Sequence, residues 1–228
     1  MDIESSNDRV VRPGVKLELA PVLLLDVCHT LFKSNTTFDF LDFYLGRTAE
    51  FKHIQSLRGR ISYRIRQKFG AIDTVRLTSI ALLKDHPKAE LERGAREFVK
   101  SLRVIEPVFN LISHYREEGY EIALLSSSLD FIVQGIGESL GISRWHATRL
   151  NYVYGTCNGK IKEDLLGEKQ NVIKSTYMDR KCVLISDNKE DINCLPFVTK
   201  FVAVYPKSDI VSNFYWYSRG IRDVVKYE

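Results

Sequence analysis

A small set of side chains in this 228-residue sequence has the types and the order needed to handle a phosphoryl group. Asp26 follows the apolar run at 22–25, Ser126 follows a second at 122–125, Lys169 stands where a helix should begin, and Asp187 and Asp191 follow a third at 182–185. A carboxylate attacks phosphorus readily only when cations neutralise both it and the oxygens of the incoming group. Asp26, Asp187 and Asp191 offer the hard oxygen donors that Mg²⁺ prefers. Lys169 adds a point charge between facing carboxylates. Ser126, with the backbone N–H groups of Ser127 and Ser128 at an expected helix start, makes an anion cradle. An Asp at the end of a strand often does no more than cap a turn, so the set carries meaning only if the fold gathers it at one place.

The elements that would gather it can be read from apolar patterning. Short unalternating runs at 22–25, 122–125, 182–185 and 201–205 read as strands buried on both faces, and the αβ texture between them implies a parallel sheet covered by helices. In such sheets the reactive groups lie just past the carboxyl ends of the strands. Between 33 and 103 the spacing gives helices and no strand: one through Phe38, Leu41 and Leu45, a long amphipathic stretch over 51–69, one starting near Asp73, and one after Pro87. Asn158-Gly159 predicts the turn of a β-hairpin, and Ser127 with Asp130 a helix cap. The expected organisation is a polar tail at 1–20, an α/β core at 21–32 and 104–228, and a helical cap at 33–103 inserted after the first strand.

Composition adds bounds. With 44% apolar residues the chain can bury a sizeable core, and a net charge of +4 suits an anionic ligand without requiring nucleic acid. Four cysteines with no C-x-x-C spacing point to a reducing compartment. The polar start Met1-Asp2-Ile3-Glu4 and the lack of a membrane-length apolar run lead to the expectation of a cytoplasmic protein without membrane insertion.

In order and spacing these motifs resemble the haloacid dehalogenase superfamily of phosphatases, in the branch similar to phosphoserine phosphatase. Asp26-Val27-Cys28-His29-Thr30 matches the family's Asp-x-Asp-x-Thr with one departure, Ser126 its second motif, Lys169 its third, and Asp187 and Asp191 the acids of its fourth. The resemblance implies a Rossmann-like three-layer core with a helical cap, and a small phosphorylated substrate. It implies a nucleophilic Asp26 that forms an aspartyl phosphate, with Ser126, Ser127 and Lys169 on the phosphate. It also implies Mg²⁺ held by Asp26, the backbone carbonyl of Cys28 and Asp187, with Asp191 acting partly through water. The departure is Cys28, because the family's second Asp protonates the leaving group and then activates water. A thiol is a poor substitute, and loss of a general acid costs about 10²–10⁴-fold in rate. Three readings follow: a phosphohydrolase for substrates with good leaving groups, a phosphotransferase using the same intermediate, or a regulatory protein that keeps the phosphate and Mg²⁺ site.

His29, one residue further, is expected to point away from the phosphate, since alternate residues past a strand face opposite sides. Lys52, Arg58, Arg60, Arg64, Arg66 and Lys68 form a basic run within the insertion, read as a solvated face or as a clamp for a second anionic group. Phe214-Tyr215-Trp216-Tyr217 is expected to pack on the sheet, with a dimer contact as the alternative.

Overall fold

The structure is a computed structural model that describes residues 19–46 and 71–228. The tail to residue 18, the amphipathic stretch at 51–69 and the basic run from Lys52 to Lys68 lie outside the described residues. The strands are β1 (Val22–Leu25), β2 (Glu121–Leu129), β3 (Arg144–Val153), β4 (Thr156–Glu163), β5 (Cys182–Ser186), β6 (Lys200–Pro206) and β7 (Val224–Tyr227). They form one sheet in the order β4-β3-β2-β1-β5-β6-β7, parallel throughout except for β4, which returns antiparallel to β3.

Strand β1 is central and its four residues are fully buried, which explains a run with no polar alternation. Leu23 and Leu25 face one apolar cluster, Val22 and Leu24 the other, the two-residue period of a strand covered on both sides. Leu25 is in register with Leu124 of β2 and Ile185 of β5, so the chain leaving β1 emerges between the ends of these two neighbours. One connection from the centre runs to β2 and the other side of the sheet is built from β5 onward, which opens a crevice at the carboxyl ends beside β1.

The helices are α1 (Thr36–Leu45), α2 (Ala71–Ala81), α3 (Lys88–Val99), α4 (Glu106–Glu117), α5 (Asp130–Leu140), α6 (Lys169–Thr176) and α7 (Ile210–Ser218), with a 3₁₀ segment at Lys189–Phe197. Asn35 caps α1 by accepting a hydrogen bond from the N–H of Phe38. The described helices of the insertion do not build a core of their own. Phe40, Leu41, Ile80, Leu91 and Ala95 share one buried cluster with Phe131, Ile132 and Ile136 of α5. Gly135 of α5 allows this approach, since a Cβ there would lie 3.6 Å from the backbone of Ala95.

Several local expectations are corrected. The strand of the second motif does not stop at Leu125; β2 continues to Leu129, across a register shift against β3, and α5 starts only at Asp130. Ser127 is therefore not a helix cap, and Ser126, Ser127 and Ser128 do not open a helix. The hairpin turn falls at Tyr154-Gly155, both with positive φ, and not at Asn158-Gly159, which lie within β4. Gly159 serves close packing instead: a Cβ there would lie 3.0 Å from the carbonyl oxygen of Ala81 in α2. Strand β7 escaped sequence reading because four residues are too few to establish a period. Within the aromatic run, Trp216 is buried against Phe201 at a ring distance of 5.3 Å, whereas Phe214 and Tyr217 are exposed.

Candidate active site

The carboxyl ends of β2, β1 and β5 surround a cavity of about 220 Å³. The core contributes Asp26, Cys28, Ser127, Ser128, Asp187 and Asn188 to its lining, and the insertion contributes Thr37, Phe38 and Arg76.

Asp26 follows β1 directly, its N–H bound to the carbonyl of Ile185 at 3.0 Å, so the sheet itself fixes the carboxylate. Lys169, on the first turn of α6, is almost fully buried, with Nζ 2.9 Å from Asp26 Oδ1 and 2.7 Å from Asp191 Oδ2. Burial alone would lower the lysine pKa, but the Asp191 and Asp26 charges outweigh it and raise it, so the ammonium stays charged. The contact with Asp26 is an ion pair without hydrogen-bond alignment, and Oδ1 is left buried with no hydrogen-bond partner.

Asp191 accepts from Lys169 and from Ser186 Oγ at 2.6 Å. It holds the lysine and is not among the residues that border the cavity. Asp187 is oriented by Thr30, whose Oγ1 donates to Asp187 Oδ1 at 3.1 Å and accepts from the Asp187 N–H at 2.9 Å. Burial, then repulsion from Asp26, pushes the Asp187 carboxyl well above the usual carboxylate range.

These features bear on Mg²⁺. Among the described residues no group of three or more His, Cys, Asp or Glu side chains is gathered into a metal cage. Mg²⁺ does not need one, because it keeps much of its water and binds through one or two carboxylates. Three carboxyl groups, Asp26, Asp187 and Asp191, share the single ammonium of Lys169, which pairs with Asp26 and Asp191, and the Asp26 charge helps to push the Asp187 pKa up, so the site is short of positive charge. The residues fit a hard divalent cation.

Cys28 lies two residues beyond Asp26 and borders the same cavity. Its Sγ shares hydrogen bonds with Thr36 Oγ1 at 3.2 Å and Ser128 Oγ at 3.1 Å, and the two hydroxyls also bond to each other. Burial first, and then the Asp26 charge, push the thiol pKa up, although Ser128 and Thr36 draw it back in part. The thiol is neutral at neutral pH. His29 lies at φ 49° in the tight turn that follows Val27, so the strand alternation used to orient it does not apply there; the residue is exposed and is among those that border the cavity.

Ser126 is fully buried, its Oγ accepting from the N–H of Ser128 at 3.2 Å; Ser127 and Ser128 reach the cavity. Cys157, Cys182 and Cys194 are buried and, like Cys28, free. Arg76 and the Thr36–Ser128 hydroxyl pair were missed in the sequence. Arg76 is one basic residue of a helix among many, and nothing in its spacing distinguishes it from a solvated one.

The comparisons agree with this geometry. The chain is 26% identical over 174 residues to phosphoserine phosphatase of Methanocaldococcus jannaschii, spanning 75% of this chain and 74% of that protein. Among solved structures, a Bordetella pertussis Tohama I protein of unknown function superposes with a TM-score of 0.73 at 18% identity, over 90% of this chain and 98% of the other. A phosphoserine phosphatase solved as a phospho-aspartyl intermediate analogue gives 0.62 at 18% identity, over 90% and 93%. Cytosolic 5'-nucleotidase IIIB bound to cytidine gives 0.64 at 13% identity, over 90% and 79%. The family model described as haloacid dehalogenase-like hydrolase matches residues 23–196, from β1 through the 3₁₀ segment that carries Asp191. With its motifs carried on the strand ends that this match spans, the chain belongs to the haloacid dehalogenase-like hydrolase family.

Proposed function

We propose that the protein is a Mg²⁺-dependent phosphohydrolase that acts through an aspartyl-phosphate intermediate on a small phosphorylated metabolite with a good leaving group. The observation that carries this reading is the buried Asp26–Lys169–Asp191 ion array at the end of β1, with Asp187 beside it. An oxygen of Asp26 attacks phosphorus, the bond to the leaving oxygen breaks, and water then cleaves the phosphoaspartate to release inorganic phosphate. Lys169, held by Asp191, limits repulsion between Asp26 and the phosphate oxygens. Ser127 and Ser128 offer polar groups to the bound phosphate from the end of β2. Asp26, Asp187 and the backbone carbonyl of Cys28 would hold Mg²⁺, whose charge neutralises the equatorial oxygens as phosphorus is attacked. The described part of the insertion, through Thr37, Phe38 and Arg76, acts as a cap beside the substrate, and about 220 Å³ between the described residues suits a phosphoryl group with a small remainder.

Cys28 restricts the substrate class. A neutral thiol tied to Thr36 and Ser128 neither protonates an alkoxide well nor draws a proton from water. Acyl, aryl or anhydride phosphates, which need little acid, fit the site better than alkyl esters. The same thiol favours the second reading, a phosphotransferase, because an aspartyl phosphate with no base beside it lives longer and can meet another acceptor.

Hydrolysis of p-nitrophenyl phosphate with and without Mg²⁺, in the native chain and in Asp26→Asn, tests the proposal. Turnover that requires both supports it, and turnover that persists in Asp26→Asn refutes it.

A further inference from the structure

Arg76 of α2 is buried, with only 6% of its surface exposed, and lies on the cavity. A buried guanidinium persists only where its donors are met, and here the partners belong to the phosphate side of the core. Nη1 and Nη2 grip the carboxylate of Asp164 as a fork, at 2.7 and 2.9 Å. Nη2 also donates to the carbonyl of Ser127 and to Thr148 Oγ1, each at 3.2 Å.

Both ends of this network matter to the site. Ser127 sits where β2 loses its register with β3, between Leu125 and Leu129, so the ladder leaves this stretch without its regular partners. Asp164 opens the loop that delivers Lys169: Asp164 Oδ1 accepts from the Leu166 N–H at 3.0 Å and from Thr148 Oγ1 at 3.0 Å, and Thr148 Oγ1 accepts from the Leu165 N–H at 3.1 Å. Burial of Asp164 opposes its ionisation, yet the Arg76 fork, the Leu166 N–H and Thr148 hold its carboxyl below the usual range. One guanidinium from the insertion thus joins the strand end that carries the serines to the loop that precedes the lysine.

We propose that Arg76 is a positioning residue, which sets Ser127 and Ser128 against Lys169 and so makes the phosphate site dependent on the docking of α2. The proposal rests on the phosphatase reading for its kinetic consequence, but not for its structural one. Lysine at 76 keeps the charge and loses the fork; asparagine at 164 keeps the size and loses the carboxylate.

The test compares the native chain with Arg76→Lys, Asp164→Asn and the double variant, each shown folded by its thermal transition. Amide hydrogen exchange is followed in the peptides covering 121–130 and 163–170, together with p-nitrophenyl phosphate hydrolysis at saturating Mg²⁺. Each single variant is expected to lose protection in both peptides and to lower kcat by up to about 10²-fold, as misplacement of a phosphate-binding segment does. The double variant should add little to either single one, since one network is broken in each case. Unchanged protection in both peptides overturns the proposal whether or not the chain turns over substrate. Additive losses overturn it as well. A change confined to KM, and only for substrates with a second anionic group, would make Arg76 a substrate contact instead. If the native chain shows no Asp26-dependent turnover, the phosphatase reading fails alone, and the exchange data still decide the role of Arg76.

Discussion

Replacing Cys28 by Asp puts a proton donor where the thiol now stands, and its consequences can be worked from the contacts of Sγ. A carboxylate there inherits two hydroxyl donors, Thr36 Oγ1 and Ser128 Oγ. Hydrogen bonds to a charged acceptor contribute about 1.5–3 kcal/mol each, hence roughly 3–6 kcal/mol in favour of the ionised form. Against this stands repulsion from Asp26, about 4 kcal/mol for like charges some 4 Å apart at an effective dielectric of 20. These terms nearly cancel, and burial then tips the new carboxyl toward a raised pKa, the condition that a general acid needs. Steady-state release of inorganic phosphate at saturating Mg²⁺ is the assay, run with an alkyl and an aryl phosphate. The alkyl ester, whose leaving oxygen needs a proton, should gain about 10²-fold or more in kcat/KM, and the aryl ester much less. Cys28→Asn, of similar size but without an acidic proton, should give neither gain. Equal gains on both esters, or no gain on the alkyl ester in a folded variant, would refute the assignment of Cys28 as the element that limits turnover.

Two further perturbations address the ion array. Lys169→Met removes the cation between Asp26 and Asp191 and leaves two buried carboxylates facing each other, at a cost of about 3–5 kcal/mol. Because the lysine pKa is raised by folding, its contribution is complete below about 10.5, so urea unfolding at pH 7 should show the full loss; a change near zero would mean that the carboxylates relax into water. Asp187 has the opposite sign, for a carboxyl with a raised pKa binds more protons in the folded state, and stability falls as pH rises above about 3.8. Mg²⁺ should remove that fall and, at a hundred times its Kd, add about 2.7 kcal/mol. Thermal melts of Asp187→Asn should show neither the pH slope nor most of the Mg²⁺ gain, and an equal gain in this variant would place the ion elsewhere.

Much of the architecture is legible in the chain because parallel strands buried on both faces leave an uninterrupted apolar run. Val22–Leu25 and Cys182–Ser186 are recognisable for that reason, and the residue that follows each is a carboxylate or lies next to one. Helices α1 and α3 announce themselves by Asn35 and Pro87 at their starts. The stretch at 126–128 misled because three serines before an Asp satisfy the local chemistry of a helix cap as well as that of a strand end. Pairing with β3 on either side, at Leu125 and again at Leu129, carries the strand across this stretch, and no local signal reports a partner 20 residues away. In the hairpin, Tyr154-Gly155 took the turn although Asn158-Gly159 has the stronger turn chemistry. Contact of Gly159 with α2 outweighed local preference.

By itself the sequence determined the order of the elements, the identity of Asp26, Lys169, Asp187 and Asp191 as the charged set, and the single departure at Cys28. Those are properties of residue type and spacing, which a linear pattern preserves. The tertiary structure alone decided that Asp191 holds Lys169, that Thr36 and Ser128 hold the thiol, that His29 lies in a tight turn at the cavity, and that Arg76 joins the insertion to the end of β2 and to Asp164. Each of these is a contact between side chains far apart in the chain or a turn of the backbone, fixed by packing on a sheet whose strand order the sequence does not spell out.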